Sequence, residues 1–202
     1  MTESLELALR QAARALPSGP APDLDIAAAE EASLVDVAYA RHDSPVGTLL
    51  LAATPRGLVL VSYADDEAGI DAALAQLARS VSPRVLSAPP RLDRARRELD
   101  EYFAGARERF ELPLDWQLTV GFCRRVLRST ARIPYGSVST YAHVAADAGS
   151  PRGSRAAGNA LGANPLPIIV PCHRVLRTGG KLGGYTGGIE RKLTLLGIEG
   201  AV

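Results

Sequence analysis

A chain of 202 residues is long enough for one large domain or two small ones, and 47% hydrophobic with 22% charged residues describes a soluble globular protein. No apolar run approaches a membrane span, because Arg, Asp or Glu recurs throughout, and the charges scattered through residues 1–16 are unlike a secretory signal, so no membrane association and a cytoplasmic location are expected. The net charge of +1 hides an asymmetry: residues 1–116 hold twelve arginines against nineteen acidic residues, a balance of −7, whereas residues 117–202 hold eleven basic against three acidic residues, +8. Either the second half meets a polyanion, or the two halves attract each other.

In chain order, residues 1–33 read as an appended, partly disordered tail. An amphipathic helix over about 5–16 is followed by Pro17-Ser18-Gly19-Pro20-Ala21-Pro22, which cannot continue a helix. From Leu34 the pattern turns strand-like. Val35, Val37 and Tyr39 alternate with polar or small residues, and apolar runs at 48–53 and 58–63 are joined by Thr54-Pro55-Arg56-Gly57. A small antiparallel sheet is expected, followed by helices over 70–78 and 92–103, the latter with Leu92, Ala95, Leu99 and Tyr102 at helical spacing. Leu112-Pro113-Leu114-Asp115 breaks the pattern, placing an N-terminal α/β domain at 34–112 and a second domain at 117–202.

The second half is mostly helical. Residues 119–131 form a helix with Val120, Cys123, Leu127 and Thr130 on one face, so Cys123 reads as a buried structural thiol. Ser139 is the expected N-cap of a short helix carrying Tyr141, and Ser150-Pro151 the start of another; two short helices around a glycine turn make a helix-turn-helix. The later helix, 152–162, is unusually smooth: Ala and Gly dominate it, Gly158 sits inside it, and Arg155 is its one long inward side chain. Such a surface suits a minor groove better than a major groove, or it packs tightly in a core. Next comes Asn164-Pro165-Leu166-Pro167-Ile168-Ile169-Val170-Pro171-Cys172-His173-Arg174-Val175. Here a cysteine is fixed after an apolar run by prolines and flanked by an imidazole, the group that turns a thiol into a thiolate.

Pro171-Cys172-His173-Arg174-Val175 closely resembles the active-site signature of the O6-alkylguanine-DNA alkyltransferase family, and the match extends well beyond it. Ile133-Pro134-Tyr135-Gly136, 139–142, Arg155, Asn164-Pro165 and Gly183-Gly184-Tyr185-Thr186-Gly187-Gly188 agree, ending near Lys192 and Glu199; residues 36–112 agree more loosely. The resemblance implies an α/β (α+β) fold: a small antiparallel sheet with helices, then a helical domain with the helix-turn-helix and a short active-site strand or hairpin. It also implies DNA repair by irreversible, single-turnover transfer of an alkyl group from O6-alkylguanine, and from O4-alkylthymine, to Cys172. The partner would be double-stranded DNA holding the alkylated guanine, with the lesion flipped out through the minor groove. The protein would be a monomer, cytoplasmic and nucleoid-associated when on DNA.

The resemblance assigns roles residue by residue. Cys172 is the nucleophile, His173 its base through a water, Glu199 the orienter of the imidazole, Tyr141 a proton donor to the leaving guanine, and Asn164 a brace for the active-site turn. Arg155 fills the gap in the base stack, with Ser154, Ala156, Ala157, Gly158, Tyr141 and Arg174 on the DNA. Tyr185, Thr186, Val175 and Pro167 form the substrate pocket. Thr140 stands where the family often has Ser. The residues that bind zinc in some relatives have no counterpart, so neither a metal nor another cofactor is expected. Two rivals make different demands: a lesion-binding protein without transfer would lack the acceptor cysteine, and a Cys-His-Glu hydrolase would turn over repeatedly and leave the basic half unexplained.

Overall fold

Both faces of one sheet are covered by apolar residues, and that arrangement explains its strand sequences. The computed structural model describes residues 35–201; the expected tail at 1–33 lies outside them. Strands β1 (Val37–His42), β2 (Leu49–Thr54), β3 (Gly57–Tyr63) and β4 (Val85–Ser87) form a sheet in the order β3-β2-β1-β4, with β1–β2 and β2–β3 antiparallel and β1–β4 parallel. The central strand β2 reads Leu-Leu-Leu-Ala-Ala without polar alternation because each face meets a core. Leu50 and Ala52 share a cluster with Ile70, Ala73 and Leu77 of helix α1 (Glu67–Ser80). Leu49 and Leu51 share the larger cluster with Leu99 and Tyr102 of helix α2 (Asp93–Phe103) and with Val126 and Leu195 from the second half.

Local chemistry sets the boundaries. Helix α1 begins a turn before the expected residue 70 because the Asp66 carboxylate caps it, accepting from the Gly69 amide at 2.7 Å. Strand β4 has only three residues, too few to show a period in the sequence. The segment expected to separate the halves is bonded along the outer edge of β3: the Leu58 amide donates to Pro113 O, and the Asp115 amide donates back to Leu58 O, each at 2.8 Å. Further along that edge the Val61 amide donates to Pro165 O, at 2.8 Å, so the sheet directly supports the turn before Cys172.

The second half holds α3 (Gly121–Thr130), β5 (Ser139–Thr140), α4 (Tyr141–Asp147), α5 (Ser154–Gly162), β6 (Val175–Leu176) and α6 (Ile189–Ile198). Val120 precedes α3 and is 72% exposed instead of sharing its buried face, which Val126, Leu127 and Thr130 supply. Thr140, not Ser139, caps α4, accepting from the His143 amide at 3.2 Å; Ser139 is occupied in β5, paired with β6. Ser150-Pro151 does not open α5. Residues 150–153 close as a turn, Gly153 N to Ser150 O at 2.8 Å, and the helix starts at Ser154. The short strand expected at the cysteine is β6, just after it, and it pairs parallel with β5. The apolar Ile168-Ile169-Val170 run ahead of it is a buried turn, with Ile168 at φ 74°. Among the described residues no helix is long and apolar enough to cross a membrane.

Candidate active site

Helix α5 turns one face toward a cavity of about 740 Å³: Ser154, Arg155, Gly158, Asn159 and Gly162, residues that recur at helical spacing, line it. The opposite wall is the loop 184–186, the first residues of α4 supply Tyr141 and Ala142, and Arg177 and Thr178 complete the rim. Cys172 opens onto this space although only 6% of it is exposed. The thiol sits at the start of a single 3-10 turn, Cys172–Arg174, between the buried turn and β6. Asn164 fixes that geometry. Its side-chain amide donates to Val170 O at 2.9 Å and to the Cys172 sulfur at 3.2 Å, while its carbonyl oxygen accepts from the Leu166 amide at 3.0 Å.

Burial pushes the Cys172 thiol up, opposed by the Asn164 hydrogen bond and by the charge of Lys192. Lys192 is itself fully buried, its ammonium donating to Val175 O at 2.7 Å, and burial pulls its own pKa down. The site therefore contains the means to favour a thiolate without holding one permanently.

His173, the next residue, is fully buried, with Nε2 2.8 Å from Glu199 Oε1. Burial alone would raise the Glu199 carboxyl, but hydrogen bonds from His173, Arg174 and Tyr102 outweigh it and hold the group at about 2. An ionised carboxylate only accepts, so Nε2 carries the proton and Nδ1 bears the lone pair. That Nδ1 is buried and has no hydrogen-bond partner in the protein. Burial pushes the imidazole below its ordinary value, so it is neutral at neutral pH and its Nδ1 lone pair can accept a proton. Arg174 grips Glu199 with two bonds, Nε to Oε2 at 2.8 Å and Nη2 to Oε1 at 2.9 Å, and the Tyr102 hydroxyl donates to Oε1 at 2.7 Å.

The Tyr141 hydroxyl donates to Gly184 O at 3.4 Å. Glycine at 183 is a steric requirement for this placement, since a Cβ there would lie 2.3 Å from the Tyr141 hydroxyl oxygen. Burial raises the Tyr141 pKa, so it faces the cavity as a proton donor. Thr186 ties the loop to α5 through its hydroxyl, which donates to Gly162 O at 2.9 Å. A nucleophilic sulfur, a neutral base, a proton donor and a cavity of this size suit attack on an electrophilic carbon carried by a bound ring, with the ring as leaving group.

Of the residues singled out from sequence, Cys172, Tyr141, Ser154, Arg155, Gly158, Tyr185 and Thr186 line the same cavity; Asn164 bonds the Cys172 sulfur, and His173 and Glu199 bond each other in the interior. Others lie elsewhere. Arg174, expected on the DNA, is buried in its ion pair with Glu199. Ala157, expected on the same surface, is fully buried because its side of α5 faces the core; Ala156 is exposed but does not line the cavity. Val175 and Pro167, expected in the pocket, are buried outside its lining. Cys123 is half-buried, pushed up by burial, and its thiol points to Ala160 O at 3.8 Å. Sequence reasoning misses Tyr102 and the buried Lys192: Tyr102 shows only the helical spacing of a core residue, and nothing local in a sequence marks a lysine that will be buried.

Residues 37–116 match the family described as 6-O-methylguanine DNA methyltransferase, ribonuclease-like domain, and 121–201 match 6-O-methylguanine DNA methyltransferase, DNA binding domain. A methylated-DNA–protein-cysteine methyltransferase of Methanosarcina acetivorans is 37% identical over 163 residues, covering 81% of this chain and 98% of that one. The constitutive methylated-DNA–protein-cysteine methyltransferase of Bacillus subtilis is 48% identical over 111 residues, 54% of this chain and 67% of that one. Among solved structures, Mycobacterium tuberculosis OGT in complex with DNA superposes with a TM-score of 0.69 at 36% identity, over 81% of this chain and 93% of that one.

Proposed function

The chain belongs to the 6-O-methylguanine DNA methyltransferase family, and we propose that Cys172 is the cysteine onto which it moves the alkyl group. The protein binds DNA and repairs it by direct alkyl transfer from guanine to one of its own cysteines. One observation carries the assignment: of the two cysteines, Cys172 lines the cavity, and the buried imidazole of the next residue is paired with Glu199, whereas Cys123 lies outside the cavity and reaches only Ala160 O.

In the transfer, a base on His173 Nδ1 removes the thiol proton through a water, and the sulfur attacks the alkyl carbon from the side opposite O6. The new C–S bond forms as the C–O bond breaks, and the electron pair passes to the guanine ring, which Tyr141 helps to neutralise by donating a proton. Glu199 compensates the imidazolium formed. The thioether has no ready hydrolysis, so each chain acts once. Every residue in this scheme comes from one chain, which supports reading the protein as acting as a monomer. O4-alkylthymine offers the same alkyl–oxygen bond and is the secondary substrate. With this substrate and two free thiols, we place the protein in the cytoplasm, on the nucleoid when engaged. Protein incubated with excess O6-methylguanine duplex should gain one methyl per chain, mapped by mass spectrometry to the peptide holding Cys172. Methyl on Cys123, or turnover past one equivalent, overturns the assignment.

The target atom is inaccessible inside a duplex, so the guanosine rotates outward, at a cost of a few kcal/mol. Arg155 enters the gap and stacks on the neighbouring bases; its exposure at the edge of the cavity on the smooth α5 supports this reading. Arg155→Ala should slow duplex repair by about 10–100-fold, the equivalent of those few kcal/mol, yet change reaction with free O6-benzylguanine less than twofold. Equal losses on both substrates would assign Arg155 to the pocket instead.

A further inference from the structure

The pocket wall 183–188 contains four glycines in six residues and no helix or strand, so its own backbone does little to hold its shape. It is tied to α5 by Thr186 and to α4 by the Tyr141 hydroxyl, which donates to Gly184 O. A further anchor comes from the sheet of the first half. Tyr63, the last residue of β3, places its hydroxyl 2.7 Å from the hydroxyl of Tyr185, with the two rings edge to face at 6.2 Å. Its ring also lies against the loop backbone so closely that a Cβ on Gly187 would come within 2.4 Å of it. Arg191 clamps this arrangement. Its guanidinium lies 4.4 Å from the centre of the Tyr63 ring and donates to Val46 O at 2.6 Å, to Gly187 O at 3.2 Å and to Asp65.

Tyr185 is thus held from behind by a residue that does not line the cavity, while its own ring lines it together with Cys172 and sits edge-on to His173 at 6.4 Å. Both phenols keep their protons: burial raises Tyr63 to about 12 and Tyr185 further. The bond is therefore a neutral hydroxyl pair that persists across the working pH range.

We propose that Tyr63 is a specificity-determining residue: by fixing Tyr185 it limits the size of alkyl group that can reach Cys172. The proposal rests on the transfer reaction assigned to Cys172 and adds a determinant for its substrate range. A methyl group needs no movement of the wall. A benzyl group must share the space between the sulfur and the Tyr185 ring, so it gains when the ring is free to swing.

The test compares single-turnover rates on duplexes holding O6-methylguanine and O6-benzylguanine. Tyr63→Phe keeps the ring packing against Gly187 and Arg191 and removes only the hydroxyl. It should raise the benzyl-to-methyl rate ratio about fivefold, the effect of one hydrogen bond on an equilibrium, with the methyl rate and Tm little changed. Tyr185→Phe cuts the same bond from the other side and should raise the ratio similarly; the double variant should add nothing further, because the bond can be lost only once. An unchanged or lowered ratio in Tyr63→Phe, or fully additive effects in the double variant, overturns the proposal. Failure of the underlying reaction would show separately, as wild-type protein that acquires no methyl on Cys172.

Discussion

Replacing Cys172 by serine is expected to reduce alkyl transfer on the order of 10⁴-fold or more while the protein still binds lesion-bearing duplex. Serine is nearly isosteric, and the Asn164 amide that donates to the sulfur at 3.2 Å can donate to a hydroxyl, so the turn keeps its shape. What changes is the nucleophile. Attack on a saturated carbon favours a soft, polarisable thiolate, and a neutral imidazole cannot deprotonate an alcohol to a useful extent. Cys123→Ser supplies the contrast. Its thiol reaches only Ala160 O, from outside the cavity, and the hydroxyl can keep that contact, so this variant should transfer one equivalent at close to the wild-type rate. Both are measured by single-turnover transfer of a labelled methyl from duplex DNA, with binding followed separately. Transfer by Cys172→Ser within a hundredfold of wild type would sink the assignment.

The sequence disclosed those parts of the site that lie close together along the chain. Asn164 through Arg174 is a continuous segment whose prolines and apolar residues announce a rigid turn, and Tyr141 and Arg155 fall on short helices announced by turn residues, although neither helix opens at the residue expected to open it. Residues acting from far away left no such trace. Tyr102 reaches Glu199 across 97 positions and Tyr63 reaches Tyr185 across 122, and in both cases the local pattern says only that an aromatic belongs in a core. Arg174 misled for a related reason. A basic residue next to the reactive cysteine in a strongly basic half reads as a phosphate contact, and only the fold shows Glu199 folded back onto it. The charge asymmetry has a similar double meaning. Some of it is spent on contacts between the halves, as where Arg191 bonds Asp65, whereas Arg155 and Arg177 remain at the cavity.

Position along the chain also hid how closely the two halves are joined. The segment 113–115 looked like a boundary because proline interrupts the helical pattern, yet its backbone occupies the edge of β3. An edge strand left open would expose unpaired amides, and here they are satisfied by that segment and by Pro165 of the active-site turn. Val61, Tyr63 and Tyr102 all reach from the first half to the reactive turn, the pocket wall and the relay. The first half therefore acts as the support that sets the geometry of the second.

Glu199→Gln should slow transfer by about 10²–10⁴-fold, the range for disabling a general base, and should do so through two separable effects. The first concerns protons. Glu199 now forces the proton onto His173 Nε2 and leaves Nδ1 free for the thiol; an amide oxygen in its place would turn the amide NH₂ toward the Arg174 guanidinium, donor against donor, and the flipped amide would force the wrong tautomer. The second concerns stability. Arg174 is buried, and removing its carboxylate leaves an uncompensated charge, which costs about 3–5 kcal/mol. In the wild type, a carboxyl lowered from 4.5 to about 2 contributes roughly 3 kcal/mol that is fully present above pH 4.5 and is lost as pH falls toward 2. The variant should lack that contribution. Rate measurements well below its Tm, as a function of pH, separate the two effects. Burial lowers the His173 pKa, so the acid limb of wild-type transfer should lie at lower pH than that of an ordinary imidazole. Removing the negative charge of Glu199 makes the imidazolium harder to form, so the acid limb of the variant should move to still lower pH while its plateau drops. If the limb stays in place and the loss of rate follows the loss of folded protein, Glu199 is a structural ion-pair partner and the relay assignment fails.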